Sequence, residues 1–319
     1  MAVELAVIIL NFRTAALTIE CLSSLAAEVG LGIGAVVVDN ASGDGSAERI
    51  EGVLAARGWS SWARVIRSAV NGGFAAGNNL GMRSVEAAAY LLLNSDTLVR
   101  RGALDSLRLA LRLRPDAGIV GPRILNARGE PDFSAFRFPS PGSELVRAAN
   151  SGPVTRVLGR WDVVLPHRDA PSEPGWVGFA GAVVRSEVLR SVGALDDGYF
   201  MYFEDVDYCR RAREAGWKVL HWPAAEIVHL GGCSSQVTSA AGRLKRAPRY
   251  FYEARARYFA KFYGRAGLWL ANVLWCVGRT LSWTRERLGR PGGSAREREV
   301  TDIWTNATQP LGSPRRASA

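Results

Sequence analysis

Four short apolar runs, each closed by an Asn or Asp, constrain this chain more than any other feature. Residues 3–10 (VELAVIIL) end at Asn11, 35–38 (AVVV) at Asp39, and 90–93 (YLLL) at Asn94-Ser95-Asp96. The fourth, 63–66 (ARVI), leads within five residues to Asn71. Near-continuous apolar runs of this length suit strands buried on both faces, as in a parallel sheet covered by helices. Helical spacing fills the intervals. Leu17, Cys21, Leu22 and Leu25 predict a helix over 15–29 with Thr14 as its cap, and a second helix is predicted over 46–57. Strand and helix alternating through short loops predict an α/β fold with a mostly parallel, doubly wound sheet. Ligands of such sheets lie beyond the carboxyl ends of the strands. Asn11, Asp39, Asn71 and Asp96 are therefore expected to line one crevice.

The loops narrow the ligand. Asn11-Phe12-Arg13-Thr14 follows the first strand where a dinucleotide fold needs GxGxxG, and no P-loop is present. Asp39 can accept hydrogen bonds from a base or ribose, or simply close an Asx turn. Gly72 and Gly73, before Phe74 and Asn78, allow a backbone to approach a diphosphate at a helix N-terminus; the plainer reading is a glycine-rich turn and cap. Asp96 offers a carboxylate to Mg or Mn, whose other ligands a diphosphate can supply. His229 is either a hydrogen-bonded structural residue or a ligand that complements Asp96.

Residues 200–211 (FMYFEDVDYCRR) place Glu204, Asp205 and Asp207 within four positions. Like charges this close raise at least one pKa. A helix start explains part of the cluster, because acidic residues favour the positive end of the helix dipole. Asp207 and Arg211 form an i,i+4 pair. For Asp205 a catalytic role is put ahead of the helix-start reading, on grounds that need the rest of the chain.

Charge locates a second region. Of the net +10, the whole excess falls in 243–319, which holds 16 Lys and Arg against 5 Asp and Glu. Residues 1–242 carry no basic stripe and no nucleic-acid motif, so nucleic acid is not an expected partner. In 249–265 aromatic residues alternate with Arg and Lys, and 267–277 is apolar but only 11 residues long. That suits an interfacial helix on an anionic membrane surface, or helices packed on the body. Trp and Tyr there can equally serve an oligomer interface. Residues 290–319, rich in Pro, Gly, Ser and Arg, predict an unstructured tail. The expected division is a catalytic domain over 1–242, a basic aromatic helical extension over 243–289, and that tail. Glu4 and the lack of a basic leader make the N-terminus a strand rather than a signal peptide. Cys21, Cys209, Cys233 and Cys276 show no CxxC spacing, which fits a reducing cytoplasm without disulfides or zinc.

The order of these motifs resembles the family 2 glycosyltransferases of the GT-A type. The resemblance rests on Asn11, the Asp39-Asn40-Ala41-Ser42 corner, Asn71 through Asn78, Asn94-Ser95-Asp96, Gly181 before Val183-Val184-Arg185, and residues 203–217, with His229 completing the set. It covers about 3–235, and its nearest sub-pattern is that of bacterial rhamnosyltransferases and galactofuranosyltransferases of cell-wall synthesis. The resemblance implies a GT-A fold with a C-terminal helical extension. It implies a nucleotide-sugar pocket shaped by Asn11, Asp39, Asn71, Gly73, Phe74, Asn78, Asn94 and Ser95. Asp96 and His229 would bind a divalent metal, Mg or Mn, and Asp205 would be the general base of an inverting transfer to a glycan or polyprenyl-linked acceptor. Gly181, Glu204, Asp207 and Arg211 would support the acceptor side. Where the family's metal motif has its first acidic residue, this chain has Asn94. The enzyme would work in the cytoplasm, at the inner leaflet. Alternatives are transfer directly to polyprenyl phosphate, and a non-catalytic nucleotide-sugar-binding protein.

Overall fold

The computed structural model describes residues 3–231, 246–289 and 296–312. The chain first builds β1 (Val3–Asn11), α1 (Ala15–Ala26), β2 (Ile33–Asp39), α2 (Ser46–Ala56), β3 (Ala63–Arg67), α3 (Gly73–Arg83) and β4 (Ala87–Asn94). Next come β5 (Thr97–Val99), α4 (Ala103–Leu113), β6 (Ala117–Leu125), β7 (Ala135–Phe136), α5 (Pro141–Ala149) and α6 (Gly152–Leu158). The last part holds β8 (Trp176–Val177), β9 (Gly181–Arg185), α7 (Ser186–Val192), α8 (Glu204–Glu214), β10 (Lys218–His229), α9 (Arg249–Arg287) and α10 (Glu299–Asp302).

Eight strands form one sheet in the order β3-β2-β1-β4-β9-β6-β10-β5. β1 pairs in parallel with β2 and β4, β2 with β3, and β6 with β10. Only β9 and the edge strand β5 run the other way. The alternation of side chains explains the apolar runs. Leu5, Val7 and Ile9 of β1 enter one core with Leu22 of α1, Ile50 of α2 and Leu107 of α4. Ala6 and Ile8 enter the other with Met82 of α3, Val188 of α7 and Ala212 of α8. Both faces of β1 are covered from Leu5 onward, so no further polar side chain occurs before Asn11.

Two local departures shape the site. β5 starts one residue past Asp96 and turns back onto β10, pairing Thr97 with His229; three residues are too few for periodicity to show. The run 176–185 reads as one strand but splits at 178–180. β8 pairs with β7 in a small second sheet, and β9 enters the main one.

Beyond β6 the excursion over 126–175 contains order that its composition hides. Ser140 and Ser143 cap α5 reciprocally, with Pro141 at its first turn. α9 packs along α5 and bends at Gly264, whose φ of 69° and ψ of 177° suit essentially glycine alone. Its first limb buries Tyr252, Tyr258 and Phe259, and its second buries Leu268, Ala271 and Trp275. The opposite face of the second limb leaves Trp269, Leu270, Val273, Val277, Leu281 and Trp283 exposed. α9 thus packs one face on the body and leaves the other face apolar and exposed. Its cations are largely matched internally: Arg255 with Glu144, Arg257 and Lys261 with Asp196, Arg249 with Glu253, and Arg279 with Glu286. Among the described residues no helix is long and apolar enough to cross a membrane.

The expected tail needs correction. Residues 296–312 fold back onto α5 and α9, with Ile303 buried, Glu299 paired to Arg147 at 2.8 Å and Asp302 paired to Arg246 at 2.8 Å. Hydrophobic and ionic partners far away in sequence supply the order that local composition lacks. The boundary at 242/243, Cys233, and the rest of the expected tail, 290–295 and 313–319, lie outside the described residues.

Candidate functional site

At the carboxyl ends of β1, β2 and β4, side chains join in one hydrogen-bonded line. Asn11, fully buried, donates from Nδ2 to Asp39 Oδ1 at 2.7 Å and to Ser42 Oγ at 3.1 Å. Its Oδ1 accepts from Thr14 at 3.2 Å and Thr18 at 2.9 Å. Thr14, expected to cap α1, therefore turns toward Asn11 instead, and its hydroxyl also meets Ser95 Oγ at 3.1 Å. Asp39 accepts a second bond from the Ser42 amide at 3.1 Å. The next residue, Asn40, donates to Asn71 Oδ1 at 2.9 Å and to the Gly73 carbonyl at 3.2 Å. Asn11 thus spends its amide on holding Asp39 and Thr14, while the Asp39 carboxylate keeps lone pairs free for a further donor.

The Asn71–Asn78 loop is locked onto the 200–211 stretch. Gly73 has φ +80°, and a Cβ there would lie 2.0 Å from the Phe200 carbonyl oxygen. The Phe74 amide donates to that same oxygen at 2.7 Å. Only glycine permits this approach. Asn78 is buried and bonds the Phe74 carbonyl within α3 at 2.9 Å.

Asp96, fully buried, and His229 come from β-strand ends on different parts of the chain. His229 Nε2 lies 3.3 Å from Asp96 Oδ1. The Leu230 amide bonds the Asp96 carbonyl at 2.9 Å, so the pairing of β5 with β10 sets this meeting. Among the described residues no group of three or more His, Cys, Asp or Glu is placed to hold a metal.

Asp205 sits in the first turn of α8, partly open to solvent. Two consecutive aromatic residues precede the helix with left-handed backbones, Tyr202 at φ 70° and Phe203 at φ 65°. Bulky residues rarely adopt this conformation, and such strain clusters at functional sites. Burial raises the Asp205 carboxyl, amide hydrogen bonds from Val206 and Phe179 partly offset it, and the group settles at about 6. Glu204 is more deeply buried. Burial first, and the neighbouring Asp205 charge second, push it well above the ordinary carboxylate range. Both carboxyls are thus raised, Glu204 well above the ordinary range and Asp205 to about 6. The Phe179 backbone in the 178–180 loop lies near enough to lower the carboxyl, and the next residue, Ala180, accepts from the Asn94 amide at 3.0 Å. Asp205 and the Asn94-Ser95-Asp96 corner thus share one loop. Gly181 follows as the first residue of β9, buried and paired with Leu93.

Asp207 and Arg211 form the pair that their spacing implies, Nε to Oδ1 at 2.6 Å. Tyr199 and Lys261 saturate the other carboxylate oxygen, and Arg211 also clamps the Val192 and Ala194 carbonyls. Sequence reasoning passed over Asn79. Its side chain bonds both the amide and the carbonyl of Leu195, at 3.0 and 2.9 Å, tying α3 to the segment that leads into α8. The tandem Asn78-Asn79 inside an amphipathic helix was the available signal.

Comparison with known proteins identifies the family and the fold. The family model described as Glycosyltransferase like family 2 matches residues 3–252. The N-acetylglucosaminyl-diphospho-decaprenol L-rhamnosyltransferase of Mycobacterium tuberculosis is 32% identical over 144 residues, 44% of this chain and 46% of that one. This chain therefore aligns with about half the length of that relative. The low-salt glycan biosynthesis hexosyltransferase Agl10 of Haloferax volcanii is 26% identical over 233 residues, 71% of this chain and 67% of that one. Among solved structures, GalNAc-T7 with UDP, GalNAc and Mn2+ superimposes with a TM-score of 0.59 at 12% identity, covering 97% of this chain and 59% of that one. The mannosyltransferase PcManGT of Pyrobaculum calidifontis, in complex with GDP-Man and Mn2+, gives 0.54 at 16% identity, covering 91% and 77%. The fold is that of GT-A-like glycosyltransferases, and the chain belongs to glycosyltransferase-like family 2.

Proposed function

We propose that this protein is an inverting glycosyltransferase. It moves a sugar from a nucleoside diphosphate to a hydroxyl of a glycan or polyprenyl-linked acceptor. The observation that carries the reading is Asp205: a partly exposed carboxylate set near 6, on a strained helix start, sharing a loop with the Asn94-Ser95-Asp96 corner. At pH 7 such a group is ionised yet basic enough to take a hydroxyl proton. As the acceptor oxygen attacks the anomeric carbon, its proton passes to Asp205, and the bond from that carbon to the diphosphate oxygen breaks. One displacement inverts the centre. Base catalysis of this kind contributes about 10²–10⁴ in rate.

On the donor side, Asn11 holds Asp39 in position to accept from base or ribose. Asn71, Gly73 and Phe74 form a wall of the donor pocket, with the Gly73 and Phe74 amides bound to Asn71 Oδ1 and the Phe200 carbonyl at 3.0 and 2.7 Å. Asp96 and His229 fit a divalent ion, Mg2+ or Mn2+. A carboxylate oxygen and a buried imidazole nitrogen that makes no hydrogen bond face one another across 3.3 Å. Two protein ligands suffice where a diphosphate provides the rest. When bound, the ion offsets charge on the departing diphosphate.

The mycobacterial relative's name supports rhamnose as the sugar and a polyprenyl diphosphate as the acceptor's anchor. The exposed apolar face of α9, with Arg265 and Arg287 beside it, supports contact with an anionic membrane surface where such an acceptor lies. Incubating the full chain with a panel of labelled nucleotide sugars, Mn2+ and membrane lipid extract tests the reading. A product with inverted anomeric configuration is expected. Retained configuration, or a product that forms equally with Asp205→Asn, overturns it.

A further inference from the structure

Next to α8 lies a cavity of about 490 Å3 that the donor site leaves unused. The volume falls within the roughly 300–1,000 Å3 of small-molecule sites. Its walls come from the 126–175 excursion, β8, the start of α8 and the first limb of α9. Five aromatic side chains line it: Phe136, Trp161, Trp176, Phe203 and Phe251. Phe203 is two residues before Asp205, and Trp176 is three residues before Phe179, whose backbone lies close enough to lower the Asp205 carboxyl. The cavity is therefore built on the two segments that hold the proposed base.

Its cations are already matched. Arg255 is bound to Glu144 at 2.8 and 3.0 Å and to Asn272 at 2.7 Å, and Arg147 is bound to Glu144 and Glu299 at 2.9 and 2.8 Å. No cation on the wall is left over for a phosphate. Asn150, Thr155 and Asp162 add polar groups at the wall. Flat aromatic faces, hydrogen-bonding groups including the Asp162 carboxylate, and no spare cation suit a neutral, amphipathic ring, whose C–H face stacks while its hydroxyls reach polar atoms.

We infer that this cavity is the acceptor subsite, and that it takes a neutral sugar residue of the acceptor whose hydroxyl is presented to Asp205. This rests on the transferase reading above and names where the second substrate binds. An isoprenoid chain is the competing occupant, and the experiment separates the two. The full-length protein is studied with three probes: N-acetylglucosamine, farnesyl diphosphate, and UDP with Mn2+. Saturation-transfer NMR reads the first two, and calorimetry the third. Thr155→Trp fills the cavity, Trp161→Ala removes a wall, and Trp161→Phe keeps an aromatic face. The wild type and Trp161→Phe are expected to show transfer to the N-acetylglucosamine ring protons. Thr155→Trp and Trp161→Ala are expected to lose at least fivefold of it, with UDP affinity within twofold of wild type. Equal sugar signals in all four proteins, no sugar signal in the wild type, or transfer to farnesyl methyl protons that Thr155→Trp abolishes would each overturn the inference. Absence of binding in the wild type for UDP and for every other nucleoside diphosphate titrated with Mn2+ instead strikes the transferase reading itself, because no cavity residue takes part in it.

Discussion

The crevice over β1, β2 and β4 and the flank built by α5, α9 and residues 296–312 are held by different physics. In the crevice, amides, hydroxyls and carboxylates at neighbouring strand ends bond to one another, and strand register decides who meets whom. Asn11 reaches Asp39 because β1 and β2 pair them directly. On the flank, charges meet across long stretches of chain: Arg255 reaches Glu144 over 111 positions, and Arg147 reaches Glu299 over 152. A crevice fixed by backbone register can lose a side chain and keep its shape. A flank fixed by buried charge cannot, because one missing partner leaves its mate desolvated and unmatched.

The sharpest test of that contrast is at the seam between them. Asp205→Asn is expected to lower turnover by about 10²–10⁴, with nucleotide-sugar affinity unchanged. The same change should stabilise the protein. A carboxyl raised from 3.8 to about 6 on folding makes the native state less stable as pH rises through that window, since the folded form holds the proton longer. Removing the charge returns on the order of 1–3 kcal/mol at pH 7.5, seen as a higher Tm. A variant that is inactive and also less stable would assign Asp205 to structure. In the wild type, kcat/KM should fall about tenfold per pH unit below 6, the limb of a base losing its ionised form.

Glu144→Gln is the counterpart on the flank. Burial alone would raise this carboxyl; Arg147 and Arg255 outweigh it and hold it at about 2. Its contribution to stability is full above the ordinary value of 4.5 and lost as pH falls toward 2. The variant leaves Arg255, only 1% exposed, short of its carboxylate, and about 3–5 kcal/mol should be lost at pH 7. Thermal unfolding measures it. A loss below about 1 kcal/mol would mean that solvent reaches the pair.

The same contrast explains what could be read beforehand. Strand ends announce themselves, because a run such as 3–10 stays apolar until the sheet stops covering it, and the first polar residue marks the crevice. Asn11, Asp39 and the Asn94-Ser95-Asp96 corner were legible for that reason, as was the Asp207–Arg211 pair through its helical spacing. The flank was not. Nothing local to Glu144 points to Arg255, and nothing in the Pro- and Arg-rich stretch after Arg290 points to a buried Ile303. Such partners are chosen by tertiary packing alone. The left-handed Tyr202 and Phe203 were hidden too, since neither residue type signals positive φ. β5 was too short to show a period.

A smaller effect is expected inside the crevice. Asn11→Ala removes the donors to Asp39 and Ser42 and the acceptor for Thr14 and Thr18. Leaving buried groups unpaired costs about 1–3 kcal/mol. If register holds the crevice, the loss should appear as roughly tenfold weaker nucleotide binding, with the fold intact by circular dichroism. Wholesale unfolding would show that the crevice depends on its side chains as much as the flank does.

The smallest expected change in stability lies on the outer face of α9. Val273 and Val277 are 47% and 46% exposed and touch the body little, so Val273→Glu with Val277→Glu should alter stability by less than about 0.5 kcal/mol. If that face meets a membrane, the double variant should sediment severalfold less with anionic vesicles, because it places two charges where apolar area and lipid headgroups would meet. Arg249, Arg257, Lys261 and Arg279 already have acidic partners, so only a modest part of vesicle binding should respond to salt. Binding abolished by moderate salt but indifferent to the two glutamates would shift the contact from the apolar stripe to Arg265 and Arg287. Unchanged binding under both treatments would leave the face of α9 to a second copy of the chain, which sedimentation velocity on the same variants resolves.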